Sequence, residues 1–202
     1  MKFELAQCSD IPEIVNFHLK NFDGYYLTSL GKEVLENYYS FFLSNDSNIF
    51  VIVKDQGEII GLALFVPFFD EQISNFYKKH FLILSKNIML KLITFNKEVL
   101  KGTLSRVKSV FNSYDMENKL PEISLLSLAI DINYRSQGIG EELIYFSENY
   151  LRKYGYERYY LSVLEKNIRG ISFYKKMGFT QVSSKRDLIY FEKSVLEGKS
   201  ND

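Results

Sequence analysis

The chain has no tryptophan, one cysteine, three prolines and two histidines among its 202 residues. Each shortage removes a class of explanation. A lone Cys8 excludes an internal disulfide framework, so a reducing, cytoplasmic setting is expected. His18 and His80 stand apart, with no clustered His/Cys pairs, and no nucleophile-elbow motif is present; neither a metal nor serine chemistry is expected. Neither sign of charge dominates, because 25 Lys and Arg meet 25 Asp and Glu, and the total gives no pull towards nucleic acid. No run approaches the ~20 apolar residues of a membrane span, and Met1-Lys2-Phe3-Glu4 leads into polar residues rather than a signal-peptide core. What the chain has in quantity is apolar surface, 46% of its residues, with 15 Tyr and 17 Phe whose default role is packing. That amount buries one sizeable core, and a single domain over 1–202 is expected.

Taken in order, Phe3 and Leu5 alternate with Lys2 and Glu4 in a first strand. Ser9-Asp10-Ile11-Pro12-Glu13 carries helix-start chemistry: Asp10 as N-cap, Pro12 in the first turn and Glu13 completing a capping box. That helix is expected to reach about Lys20. A loop over 21–26 leads to a second helix over about 28–43, with Leu30, Val34, Leu35, Tyr38, Phe41 and Phe42 inward. Residues 48–54 and 58–66 read as strands joined by Asp55-Gln56-Gly57, a hairpin signal.

Residues 70–119 read as helical, and they are basic. From 76 to 110, Lys78, Lys79, Lys86, Lys91, Lys97, Lys101, Arg106 and Lys108 face a single acid, Glu98. Three readings stay open for this insertion. It is a solvated helical face, a lid or wall meeting a phosphate-bearing acceptor or cofactor phosphate, or a surface for anionic membrane or nucleic acid.

The rest of the chain is organised around LLSLAIDINYRSQGIGEELIYF, residues 125–146. Its apolar opening, 125–130, suits a strand covered on both faces, and Asp131-Ile132-Asn133-Tyr134 supplies a turn. Arg135-Ser136-Gln137-Gly138-Ile139-Gly140 then opens a helix with Leu143, Phe146 and Tyr150 on one face. The first N–H groups of a helix lack partners within it and sit at the positive end of its dipole. Two glycines leave those amides accessible and Arg135 adds positive charge, so the expected ligand is a pyrophosphate. The dinucleotide fingerprint needs a third glycine where this chain has Leu143, and the ATP-type loop needs Gly-Lys-Ser/Thr; neither is present.

The spacing Arg-x-x-Gly-x-Gly after a strand resembles motif A of the GCN5-related N-acetyltransferases (GNAT). NIRGISFYKKMGF, residues 167–179, resembles that family's motif B, an Asn followed seven residues later by Tyr, closed by Gly-Phe. The likeness is clearest over 125–193. It implies an α/β fold with a mixed, twisted central sheet, helices on both faces and a helical insertion at 70–119 between the third and fourth strands, where the family has a short turn. It also implies acetyl-coenzyme A as acyl donor. Arg135, Ser136, Gln137, Gly138, Ile139 and Gly140 would hold its pyrophosphate. Leu128, Ala129 and Ile130 would hold the pantetheine arm where their strand splays from residues 160–164, with backbone N–H in 128–130 polarising the carbonyl. Asn167 would bond to the arm or cap its own helix. Tyr174, two turns on, would protonate the leaving thiolate. The opening helices would wall the acceptor cleft, so that Phe22, Asp23, Tyr25 and Tyr26 meet the acceptor; the competing reading makes them aromatics that staple two helices.

Many relatives carry Glu five residues before the Ala of the Leu-Ala-Ile segment, where this chain has Ser124. Glu122, two residues earlier on the same strand face and roughly 7 Å further from the reacting carbon, is the candidate to assist deprotonation, directly or through water. The expected function is therefore direct acetyl transfer to a primary amine of a small molecule or amino sugar, possibly phosphate-bearing. A protein amine or a non-catalytic acyl-coenzyme A module are the alternatives. No nucleic-acid partner and no membrane span are expected, and monomer and homodimer both stay open.

Overall fold

The computed structural model describes residues 1–22, 24–93 and 120–195. They divide into two compact units, one made of 1–5, 46–69 and 120–195, the other of 6–22, 24–45 and 70–93.

The first unit is a seven-stranded mixed sheet: β1 (Lys2–Leu5), β2 (Ile49–Asp55), β3 (Glu58–Pro67), β4 (Ile123–Ile130), β5 (Arg158–Leu164), β6 (Thr180–Lys185) and β7 (Leu188–Ser194). Their spatial order is β1-β2-β3-β4-β5-β7-β6, and every neighbouring pair is antiparallel except β4 with β5. The expected hairpin is present. Asp55 pairs with Glu58 across the two-residue turn Gln56-Gly57, both at positive φ, which matches the right-handed twist of the flanking strands. Pro67 pairs with Ile123, so the excursion through 68–122 leaves and returns at one point of the sheet.

Two helices belong to this unit, Ile139–Lys153 between β4 and β5 and Ile168–Lys176 between β5 and β6. Leu143, Ile144 and Leu151 of the first helix are fully buried against Ile123, Leu125, Tyr159, Leu161 and Phe191 of the sheet. Each such side chain contributes about 1.5–3 kcal/mol by leaving water. One charged cluster sits inside this core. Tyr159 donates its hydroxyl to Glu148 Oε1 at 2.7 Å, and Lys193 Nζ meets the same oxygen at 2.6 Å while lying over the Tyr145 and Phe179 rings. Burial first, and Glu148 second, push the Tyr159 phenol well above its ordinary range, so it stays a donor.

The second unit is helical: α1 (Ile11–Asn21), α2 (Tyr26–Leu30), α3 (Lys32–Leu43), α4 (Phe69–Lys79, from Asp70 onward) and α5 (Phe81–Ile93). The single helix expected over 28–43 is two, broken at Gly31, whose φ of 95° and ψ of 178° leave helical space. Asp10 does not cap α1 through its side chain. Its carboxylate instead accepts from the Gln7 N–H at 2.8 Å and closes a 3₁₀ turn over Cys8–Asp10. Of the basic insertion, α4 and α5 are described, with Lys78, Lys79 and Lys86 exposed; residues 94–119, with Lys97, Glu98, Lys101, Arg106 and Lys108, lie outside the described residues. Among those described, no helix is long and apolar enough to cross a membrane.

His18 is the buried polar centre of this unit, 3% exposed. Thr28 Oγ1 donates to the Phe22 carbonyl at 2.5 Å, so it accepts from His18 Nε2–H at 3.0 Å. Nδ1 is left to accept from the Tyr39 hydroxyl at 2.6 Å. A neutral imidazole with its proton on Nε2 satisfies both ring nitrogens in this arrangement. Burial accordingly lowers its pKa from 6.5 to about 4.

Because the folded pKa lies below the unfolded one, acid favours the unfolded chain. Stability from this group is complete above pH 6.5, falls by about 3 kcal/mol as pH drops to about 4, and levels off below that. Urea unfolding at stepped pH measures this slope, and His18→Gln is expected to flatten it.

Candidate functional site

The site begins where two strands part. β4 and β5 pair only at Ile123 with Tyr159 and Ser124 with Tyr160, although both strands run on, to Ile130 and Leu164. On its other edge β4 pairs with β3 up to Ile130, apart from one extra residue: Leu125 opposes Phe65 and Ser127 opposes Leu64, so Leu126 is a bulge outside both ladders. Of the run 125–130 expected to be covered on both faces, only Leu125 is buried, together with Ile123 and Ser124 before it. From Leu126 to Ile130 the apolar side chains are half-buried, because β5 has moved away.

The direction of the free backbone groups follows from alternation along a strand. Asp131 donates its N–H to the Ile60 carbonyl at 2.8 Å, towards β3. Ala129 therefore also faces β3, whereas Leu128 and Ile130 present N–H and C=O to the side that β5 vacates. There Arg135 Nε donates to the Ile130 carbonyl at 2.8 Å, holding the guanidinium at the mouth of the opening.

The following loop is wound tightly. Asp131 accepts from the Asn133 N–H at 3.0 Å, Gln137 Nε2 donates to the Asn133 carbonyl at 3.1 Å, and Tyr134 donates its hydroxyl to Asp55 at 3.2 Å. Ser136 sits at φ 64° and Gly138 at φ 83°. Gly138 is the residue before the helix, and a Cβ there meets nothing within 4 Å, so backbone conformation and not space demands glycine. The first helical bonds run from Glu141 and Glu142 to the Gly138 carbonyl. The N–H groups of Ile139 and Gly140 precede them at the positive end of the helix, a geometry that receives an anion. Ile139 offers only its backbone, since its side chain is buried in the core. Gly140 has a second duty: a Cβ there would stand 3.4 Å from the Phe173 ring.

That ring belongs to the second motif helix. Asn167 caps it, accepting from the Gly170 N–H at 2.9 Å, so the capping alternative is realised. Arg169 Nη2 donates to Ser136 Oγ at 3.2 Å, and Lys176 pairs with Glu141. Arg169, Phe173 and Lys176, at i, i+4 and i+7, thus turn one face of this helix to the glycine loop and the helix after it. Their spacing is visible in the sequence, but its target is not. Tyr174 is half-buried, its ring 5.4 Å from Phe179 and 6.3 Å from Phe191.

Leu128, Ala129, Ile130, Arg135, Ser136, Gln137, Gly138, Ile139, Gly140, Asn167 and Tyr174 therefore all lie in the first unit, along β4, the loop and the two helices. Glu122 is exposed just before β4, its carbonyl accepting from the Phe68 N–H. Phe22, Tyr25 and Tyr26 belong to the second unit. Phe22 stacks on His18 at 4.5 Å and meets Tyr25 edge-on at 5.8 Å, which is the packing role, while Tyr25 keeps 42% exposure. Asp23 lies outside the described residues.

Comparison with known proteins bears on this arrangement. The profile of the Acetyltransferase (GNAT) family matches residues 93–179, which include the glycine loop and both motif helices. A probable spermine N(1)-acetyltransferase of Bacillus subtilis subsp. natto is 34% identical over 71 residues, 35% of this chain and 47% of that protein. The [ribosomal protein bS18]-alanine N-acetyltransferase of Escherichia coli K12 is 31% identical over 68 residues, 34% of this chain and 46% of that protein. The matched region thus spans about half the length of these relatives. In fold, the crystal structure of the PaiA N-acetyltransferase of Thermoplasma acidophilum in complex with coenzyme A superposes with a TM-score of 0.59 at 17% identity, covering 96% of this chain and 99% of that one.

Since only its backbone conformation constrains Gly138, Gly138→Ala is expected to cost about 1–2 kcal/mol, and Gly138→Asn less, because Asn tolerates left-handed φ. Chemical denaturation of the two variants checks the ordering.

Proposed function

We propose that this chain, whose residues 93–179 match the GNAT acetyltransferase family, is an acetyl-coenzyme A dependent N-acetyltransferase acting directly on a primary amine of a small molecule. The observation that carries this reading is the parting of β4 from β5 after two residue pairs, beside a helix start with accessible amides.

An amide-rich arm can lie in such an opening as a false strand, bonded to the backbone of Leu128 and Ile130. Ile139 and Gly140 N–H groups, with Arg135, hold the pyrophosphate. The backbone N–H of Leu128, which alternation turns to the side that β5 vacates, is the candidate to polarise the thioester carbonyl. Tyr174 supplies a proton to the departing sulfur. The acceptor's proton must also leave, and Glu122, exposed just before β4, is one carboxylate within the same stretch of chain that can assist.

For the acceptor, the B. subtilis relative's name supports a small amine. The E. coli relative's name supports a second reading, a protein amine.

Incubation with acetyl-coenzyme A and a panel of polyamines, amino sugars and peptides, followed by mass identification of the product, tests the proposal. Acetylated small amine is the expected outcome; coenzyme A binding with no turnover on any amine would leave only a binding module. Tyr174→Phe is expected to lower kcat about 10²-fold with little change in the KM for acetyl-coenzyme A. Gly138→Val should abolish the calorimetric heat of coenzyme A binding.

A further inference from the structure

Ser124 has no carboxylate with which to take a proton from an acceptor ammonium, but the sheet brings one to it from elsewhere in the chain. Ser124 pairs with Tyr160 across β4 and β5, and Tyr160 pairs with Glu192 across β5 and β7, so the three residues form one row across three strands. Directly opposed residues share a face of the sheet. With strands ~4.8 Å apart, the Glu192 backbone stands roughly 10 Å from that of Ser124, and the Tyr160 ring rises between them. This is the last row in which β4 and β5 pair, so it forms the floor of the opening.

The neighbouring row, Ile123, Tyr159 and Lys193, faces the other way and is closed, with Tyr159 fully buried and both polar groups spent on Glu148. Ser124 itself is buried, so approach to this row is at Tyr160, from the face on which β5 shows exposed Arg158, half-buried Tyr160 and exposed Ser162. Glu192 is held in place there. Arg158 Nη1 donates to its Oε1 at 2.8 Å, using one of its two oxygens. Tyr160 and Arg158 from β5, Thr180 from β6 and Tyr190 from β7 are its neighbours on this face, and Arg158 is the one charged residue among them.

We propose that Tyr160 and Glu192 form the outlet for the acceptor's proton, doing from β5 and β7 what a carboxylate at position 124 would do from β4. The assignment rests on the acetyl-transfer reading. The acceptor ammonium passes a proton to the Tyr160 oxygen as the Tyr160 hydroxyl proton passes to the Glu192 carboxylate, which returns it to solvent. The neutral nitrogen then forms the C–N bond to the thioester carbon. As the C–S bond breaks, the sulfur leaves with the bonding pair and takes the Tyr174 proton; the second amine proton restores Tyr174 through solvent. Tyr160 touches the substrate, whereas Glu192 acts through it.

The test is kcat/KM against pH for the full chain, with acetyl-coenzyme A and the best amine of the panel, in wild type, Glu192→Gln, Tyr160→Phe and Glu122→Gln. Glu192→Gln and Tyr160→Phe should each lose roughly 10²-fold near neutrality and recover towards wild type as pH approaches ~10.4, where the amine sheds its proton unaided. Coenzyme A binding heat should be unchanged in both. A deficit equal at every pH would mean a structural role and overturn the proposal, as would a pH-dependent loss confined to Glu122→Gln. Should Glu192→Gln unfold, Tyr160→Phe, which keeps the ring, decides alone by the same criterion. A wild type that acetylates nothing refutes acetyl transfer itself, a result distinct from an active wild type with an unaffected Glu192→Gln.

Discussion

Two residue pairs hold β4 to β5, and where that pairing stops the sheet opens along its middle. A buried backbone group left without a partner costs about 1–3 kcal/mol, so an interior strand gives up a ladder only where water or a ligand can take its place. The cost is confined by what closes the two ends of the gap. At the floor, Tyr159 and Lys193 converge on Glu148 and tie β5 and β7 to the helix behind them. At the mouth, Arg135 returns to the Ile130 carbonyl and Asp131 bonds to the Ile60 carbonyl.

The two motif helices are joined as well as adjacent. Arg169 to Ser136 and Lys176 to Glu141 are exposed contacts, each worth little in water. The Phe173 ring lies closer to the glycine turn itself, since a Cβ at 140 would meet it at 3.4 Å, the near edge of ordinary van der Waals contact. Through that contact the helix carrying Tyr174 is positioned by the same few residues that shape the glycine turn. The phosphate end and the sulfur end of the proposed site therefore share one scaffold.

Much of this was legible in the residues. The strand, glycine loop and helix at 125–153, the hairpin at Gln56-Gly57 and the helix bearing Tyr174 all have local signatures, and local signatures survive folding. The misreadings have local causes too. Leu30 and Val34 keep helical spacing across Gly31, so periodicity alone did not reveal the break between α2 and α3. Asp10 suits a helix cap equally well whether its carboxylate turns forward or, as it does, back to Gln7. In the apolar run LLSLAI no polar alternation marks Leu126 as an extra residue. The row joining Ser124, Tyr160 and Glu192 depends on the register of three strands distant in sequence, and no local pattern encodes that.

The pairing of Pro67 with Ile123 reaches beyond geometry. A segment that departs and rejoins at a single rung is, for evolution, a detachable loop: it can grow, shrink or be exchanged without resetting any strand. An insertion inside a strand lacks that freedom, since one residue gained or lost within β4 would turn Ser127 and Ala129 inside out.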